Sequence, residues 1–364
     1  MSIQDIIINE REVFFMATVN TFSFVGKITP VREKNNFKTF TEQISDSGWK
    51  NQKLRFNVVA GSNRHLVEIN AGCWNDDSKN TVVYTMSKGR PSEKLTIPWE
   101  QRNDPAELDK VAGYRLFTVD TDTYQHRQKL EEDGKDEEWE LSMAKRKHFM
   151  TGVDFIDYMR KVLQRSDLQD MRFRINGNIT YIYNAEKGKY YNTYEVTKVY
   201  RVDDSVQPTS DVSINFYYTE DFIDANASTL NGYTQFYHSD TKSNWFTPIS
   251  IAIDKDKLAG AEELMGNFIE SEVCYSIISC QAIDGVQKRD VMLSDLPEKI
   301  QRAVALGMKQ EEDALREARN QAFGDSVKEI RFTELGSKFG ETTAYQAETL
   351  TEKPHIKIFN DDDI

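Results

Sequence analysis

The chain has 364 residues, 39% of them apolar and 29% charged, enough to bury a sizeable core and, at roughly 100–200 residues per domain, to form two domains with accessory segments. A net charge of −13 argues against a uniformly basic nucleic-acid coat, and no apolar run approaches the ~20 residues needed to span a bilayer. Cys73, Cys274 and Cys280 are too few and odd in number for a disulfide framework, and the opening MSIQDIIINEREVFF has neither the basic nor the apolar region of a signal peptide, so a soluble protein of the cytoplasm (a host cytoplasm if phage-encoded) is expected.

In chain order, residues 13–33 read as a long strand broken at Gly26 and Pro30, with Phe22, Phe24 and Ile28 on one face at period two. A polar loop over 34–50 follows. In 52–74, Leu54, Phe56 and Val58 alternate with Lys53, Arg55 and Asn57, the pattern of a half-buried strand with one basic face. A turn at 60–63 leads to a partner strand at 65–70, and short strands are expected at 81–85, 95–99 and 111–119. Residues 127–169 read as a helical connector, with Phe155, Tyr158, Met159 and Leu163 at helical spacing. Strand character returns at 171–183 and 190–202 and continues through 212–218, 249–253 and 273–282. A helix over 293–322 starts at Asp295 as N-cap ahead of Pro297, and 323–364 thins into a flexible region with an acidic end. The expected domains are 1–126, a connector 127–169, a second β domain 170–292, the helix 293–322 and the flexible 323–364.

Charge is unevenly spread. Residues 1–102 hold 14 Lys and Arg against 11 Asp and Glu, whereas 103–142 hold 5 against 12 and 303–364 hold 8 against 13. A mildly basic groove in the first third can therefore coexist with an acidic whole.

Four stretches, FSFVGKIT (22–29), the loop through Phe37 and Trp49, KLRFNVVAG (53–61) and the terminal DDDI, resemble single-stranded DNA-binding proteins of the OB-fold class, especially those of phages. The resemblance implies a bent five-stranded barrel binding single strands across an open face and its hairpin loops, and the strand order of 171–282, which loosely repeats that of 13–125, allows a second. It also implies an acidic C-terminal tip that recruits replication and recombination proteins. Bacterial tips end in Pro-Phe, whereas this chain ends at Ile364 with Phe359 upstream, so the partner surface would be Phe359, Asp361, Asp362, Asp363 and Ile364.

Binding single strands of any sequence needs cations along the phosphates and flat rings for unstacked bases. Lys34, Phe37, Lys38, Phe40, Trp49, Lys50, Lys53 and Arg55 interleave both, and Arg64 sits beside a turn. Phe40 could equally be core, and Trp74 is read as core. Arg172 with Arg174, Tyr181 with Tyr183, and the hairpin of Lys187, Lys189, Tyr190 and Tyr191 form a second basic and aromatic set. Catalytic signals are thin: no phosphate-binding glycine loop occurs, and the five His, at 65, 126, 148, 238 and 355, form no metal-ligand spacing. No enzyme, cofactor or metal is expected. The competing readings are a virion-structural or protein-interaction module and a Mg-dependent DNA-processing enzyme.

Overall fold

A computed structural model describes residues 20–34, 37–90, 93–184, 187–238, 242–266, 272–286, 293, 296–315, 326–341 and 345–352. The chain is mainly β with several short helices. Strand β1 (Asn20–Pro30) buries Phe22, Phe24 and Ile28, as period-two spacing requires of one strand face. There follow β2 (Phe40–Ile44), β3 (Trp49–Ala60) and β4 (Asn63–Trp74). On β3, Leu54, Phe56 and Val58 are fully buried, while Lys53 and Arg55 between them are half-buried on the other face. β1 pairs antiparallel with β3, and β3 with β4. A Cβ at Gly26 would strike the Val59 backbone, so glycine is what allows β1 to bend here against β3.

The chain then leaves this ribbon for an excursion of β5 (Val82–Met86), β6 (Lys94–Pro98), α1 (Pro105–Leu108), β7 (Phe117–Asp120), α2 (Tyr124–Glu132), α3 (Asp136–Met143) and β8 (Arg146–Phe149). It has its own small core of Val83, Ile97, Val111, Leu116 and Met150. A buried polar network pins it: Arg127 donates twice to Asp120 at 2.6 and 2.7 Å, while Ser142 and Lys145 donate to Asp122 at 2.8 and 2.9 Å. Burial pushes both carboxyls up, but these donors outweigh it and hold both below the usual carboxylate range.

Helix α4 (Gly152–Gln164) brings the chain back, its first turn capped by the Thr151 side chain accepting from the Asp154 N–H. Phe155, Ile156, Met159 and Val162 are buried in the main core. Next come β9 (Arg172–Asn184) and β10 (Lys189–Arg201). β9 pairs antiparallel with β1, β10 antiparallel with β9, and β10 parallel with β4 through Tyr194 opposite Val67. The ring β1–β3–β4–β10–β9–β1, with a helix between its third and fourth strands, is the circuit of an OB-fold barrel.

The circuit repeats. β11 (Thr209–Tyr218), with β12 (Ile223–Asp224) beside it, precedes β13 (Thr229–His238), β14 (Ser243–Ala252), α5 (Lys255–Gly266), β15 (Cys274–Val286), α6 (Glu298–Ala305), β16 (Ser326–Glu341) and α7 (Ala347–Thr351). β11 pairs with β13, β13 with β14 and β15 with both β11 and β16, all antiparallel, and β14 meets β16 in parallel at Ala252 opposite Arg331. Again the helix, α5, falls between the third and fourth strands.

The two barrels are sewn together by their first strands, β1 against β11 from Thr21 opposite Ser213 to Val25 opposite Thr209. At the seam His65 is fully buried, its ring stacked on Phe24 at 4.1 Å and its Nε2 2.7 Å from the Ser210 hydroxyl. Asn20 donates to Thr234 at 2.8 Å and accepts from the Asn215 N–H at 2.7 Å.

Barrels are present as the resemblance implies, and there are two, but the strands divide between them differently from the expected boundaries. The first barrel does not end at 126: its fourth and fifth strands are β9 and β10, which the sequence reading places in a domain beginning at 170. Within 127–169, α4 is barrel core rather than connector. The second barrel runs past 292, because β16 lies inside the expected flexible region and closes the ring. The expected 293–322 helix includes α6 over 298–305. Asp295 and residues 353–364 lie outside the described residues.

Candidate nucleic-acid interface

Strand parity decides what β3 and β4 present outward. Counting from the buried Leu54 and Phe56, the odd positions Trp49, Asn51, Lys53 and Arg55 face out, joined from β4 by Glu68, Asn70, Gly72 and Trp74. A cleft of about 590 Å³ lies there, lined by Thr41, Gln43, Trp49, Lys53, Arg55 and Gly72 among others.

Trp49 is held in a defined pose. Its Nε1 donates to Asn51 Oδ1 at 3.0 Å, and its ring meets Trp74 edge to face with centroids 5.2 Å apart. The indole lies across Gly72, where a Cβ would come within 2.6 Å of it. The Lys79 ammonium stands 5.4 Å from the Trp74 ring. Phe37, 40% exposed on the preceding loop, carries the Arg55 guanidinium 5.4 Å from its ring centroid. Lys34 and Phe37 close that loop with a pair of backbone hydrogen bonds, and Lys34 and Lys38 are exposed.

One carboxylate sits among these cations. Glu68, 8% exposed, takes Lys53 at 3.0 Å and Arg55 at 3.5 Å. Asn70 bridges it to Glu195 of β10, at 2.9 and 3.0 Å. The pairing fans Lys53 and Arg55 across the sheet and offsets part of their charge.

Of the nine residues named from sequence, Trp49, Lys53 and Arg55 line this cleft, and Phe37 joins them through Arg55, with Lys34 and Lys38 exposed on its loop. The other three lie elsewhere. Phe40 is opposite Leu54 and packs toward α4 under the Arg160 guanidinium, 3.9 Å from its centroid. Lys50 falls on the opposite face from Trp49, because adjacent strand residues alternate. Arg64 faces outward but pairs with Val59, ten residues along β3 from Trp49, roughly 33 Å at 3.3 Å per residue. Trp74, read from sequence as core, is half-buried beside Trp49. Sequence reasoning missed Trp74, Asn51 and Gly72, although the parity that selected Lys53 and Arg55 also selects Asn51.

The β9–β10 hairpin of the same barrel carries Tyr183 and Tyr190, 4.8 Å apart, with Tyr190 reaching Phe236 of the second barrel at 5.9 Å. Lys187 and Lys189 are exposed, and so is Tyr191 at 47%. A larger cleft of about 810 Å³ between the excursion and α4 has mixed charge, partly engaged in the pairs Arg102–Asp154, Lys88–Asp109 and Arg146–Asp120, with Lys147 and Lys161 also in its lining. Among the described residues, no group of three His, Cys, Asp or Glu side chains converges for a metal, and no helix is long and apolar enough to cross a membrane.

No protein-family model matches the chain, and no curated protein matches it in sequence. Among solved structures, the chain is similar to the wild-type single-stranded DNA binding protein from Thermus aquaticus, at 7% identity and TM-score 0.29 over 74% of this chain and 87% of that one. It is likewise similar to a deletion mutant of that protein, at 8% identity and TM-score 0.30 over 73% and 87%. Strand pairing, and not these faint likenesses, defines the fold.

Proposed function

We propose that the chain binds single-stranded DNA without regard to base sequence, on the outward face of β3 and β4 together with the 31–48 loop and the β9–β10 hairpin. One observation carries this reading: Trp49, Lys53 and Arg55 line a single cleft, Trp74 packs against Trp49 and Phe37 against Arg55, and Lys34 and Lys38 are exposed on the loop that carries Phe37. OB-fold barrels use this face and these loops for oligonucleotides. Rings accept any base, each stack being worth ~1–3 kcal/mol, and the cations follow phosphates in a salt-dependent way. In this reading the protein serves replication or recombination, and the acidic end, Asp361 to Ile364 with Phe359 before it, engages partner proteins. Deleting 360–364 then leaves DNA affinity intact while abolishing pull-down of a purified replication protein.

Titration with labelled oligo-dT tests the central claim. Binding is expected to weaken as salt rises and to change little with base composition. Trp49→Ala weakens it roughly tenfold, the scale of one lost stack, with an unchanged thermal melt. Absence of binding by the wild type, or equal loss of fold and affinity in Trp49→Ala, refutes the reading. Product formed on adding Mg²⁺ marks an enzyme instead.

A further inference from the structure

The second barrel presents the same kind of face from its second and third strands, and there two of the rings, Phe246 and Tyr217, are hidden. Tyr233 and Gln235 of β13 and Phe246 of β14 point outward, with Tyr217 of β11 and Tyr275 of β15 beside them. Yet Phe246 is 2% and Tyr217 5% exposed. The chain's own segment 345–352 covers them. Tyr345 stands edge-on to Phe246 at 5.0 Å and to Tyr217 at 5.8 Å, and its hydroxyl accepts from Gln235 Nε2 at 2.8 Å. Leu350 is 1% exposed in the same cluster, and the Ala347 N–H reaches the Glu272 carboxylate at 3.4 Å.

Among the described residues this cover is slight: one ring, one leucine and α7, a helix of five residues, far below the ~12–15 at which a helix sustains itself in water. Segments held by so few buried groups open locally at a fraction of the global unfolding free energy. What they leave behind is an aromatic surface with a side-chain amide donor in its midst, suited to a flat ring bearing an acceptor.

We propose that residues 345–352 are a displaceable cover over a second base-accepting face. Tyr345 takes the place of an unstacked base, and single-stranded DNA reaches the second barrel only where the segment lifts. The ligand class rests on the reading of the first barrel. Such a cover scales the apparent affinity of that face by the fraction of time it is open, so long strands that engage both barrels sense it and short ones on the first barrel do not.

The test uses the full chain and the double variant Tyr345→Ala, Leu350→Ala, each with and without Trp49→Ala, titrated with oligo-dT of increasing length. Hydrogen exchange of 345–352 in the wild type is followed alongside. The double variant is expected to bind long oligo-dT about tenfold tighter or more, through two linked sites, and to retain binding when Trp49 is removed. Exchange in 345–352 speeds up when long oligo-dT is added to the wild type. Equal affinities at all lengths with unchanged exchange overturn the proposal. Binding by the double variant alone supports the cover and refutes the reading of the first barrel, and binding by none refutes both. Should the double variant not fold, the wild-type exchange measurement decides.

Discussion

The two barrels share one circuit of strands and differ in what their outer faces do. On the first, Trp49 is half-buried against Trp74 in a cleft that also holds Lys53 and Arg55. On the second, Phe246 of the third strand and Tyr217 of the first also face outward yet are sealed under Tyr345 and Leu350. The contrast separates two uses of an aromatic on a sheet: a ring flanked by cations and open space can take a ligand, whereas a ring with a cover above it contributes to stability. Substitutions on the two faces therefore report on different quantities.

The largest effect belongs to the covered face. Phe246→Ala is expected to lower unfolding stability by about 3–5 kcal/mol, the scale of a buried Phe truncation, in urea denaturation of the full chain. A loss below about 1 kcal/mol would show that the cover is not seated in solution and collapse the distinction.

Next is the seam joining the faces. Burial, with Lys328 adding to it, lowers the His65 pKa from 6.5 to about 4, and its Nδ1 has no partner among the described residues. The unfolded chain takes up this proton near pH 6.5 and the folded protein only near pH 4, so the contribution is complete above pH 6.5 and is lost as pH falls toward 4. That shift is worth about 3 kcal/mol at most. Urea midpoints of wild type and His65→Gln measured across this window isolate the ring from the carboxylates. Parallel pH profiles for the two would mean that His65 is not held neutral in the seam.

The smallest effect sharpens the open face. Gly72→Ala places a methyl against the Trp49 indole, so the ring must swing away while the strand stays paired. Oligo-dT affinity is expected to fall by less than in Trp49→Ala, with a shifted tryptophan emission and an unchanged melt. Unaltered affinity together with shifted emission would mean that the pose of Trp49 is irrelevant to binding.

Much of this was legible in the sequence where the signal is local. Alternation over 53–59 gave both the inward Leu54, Phe56 and Val58 and the outward Lys53 and Arg55, and 171–183 and 190–202 were readable as strands. Ring membership was not, because β9 pairs with β1 across more than 140 positions, with Lys27 opposite Arg172, and β10 with β4 across more than 120, with Tyr194 opposite Val67, and no periodicity encodes partners so distant. Phe40, Lys50 and Arg64 were misplaced for a related reason. Closeness in sequence to Trp49 is not closeness on a sheet, where neighbouring residues point apart and distant ones along a strand separate. The cover by Tyr345 left no trace in a stretch chosen as flexible for its sparse apolar residues, since one ring and one leucine suffice when the complementary surface is already built.

The excursion between β4 and α4 has a consequence for how the molecule is made. Trp74 emerges from the ribosome long before Arg172, and at ~5–20 residues per second that interval lasts roughly 5–20 s. Until α4 appears the β1–β3–β4 ribbon has an unlidded apolar side, and until β9 and β10 follow it keeps two open backbone edges. Nascent chains halted before α4 are therefore expected to yield to protease and to recruit holdase chaperones, and those halted well after β10 to resist both.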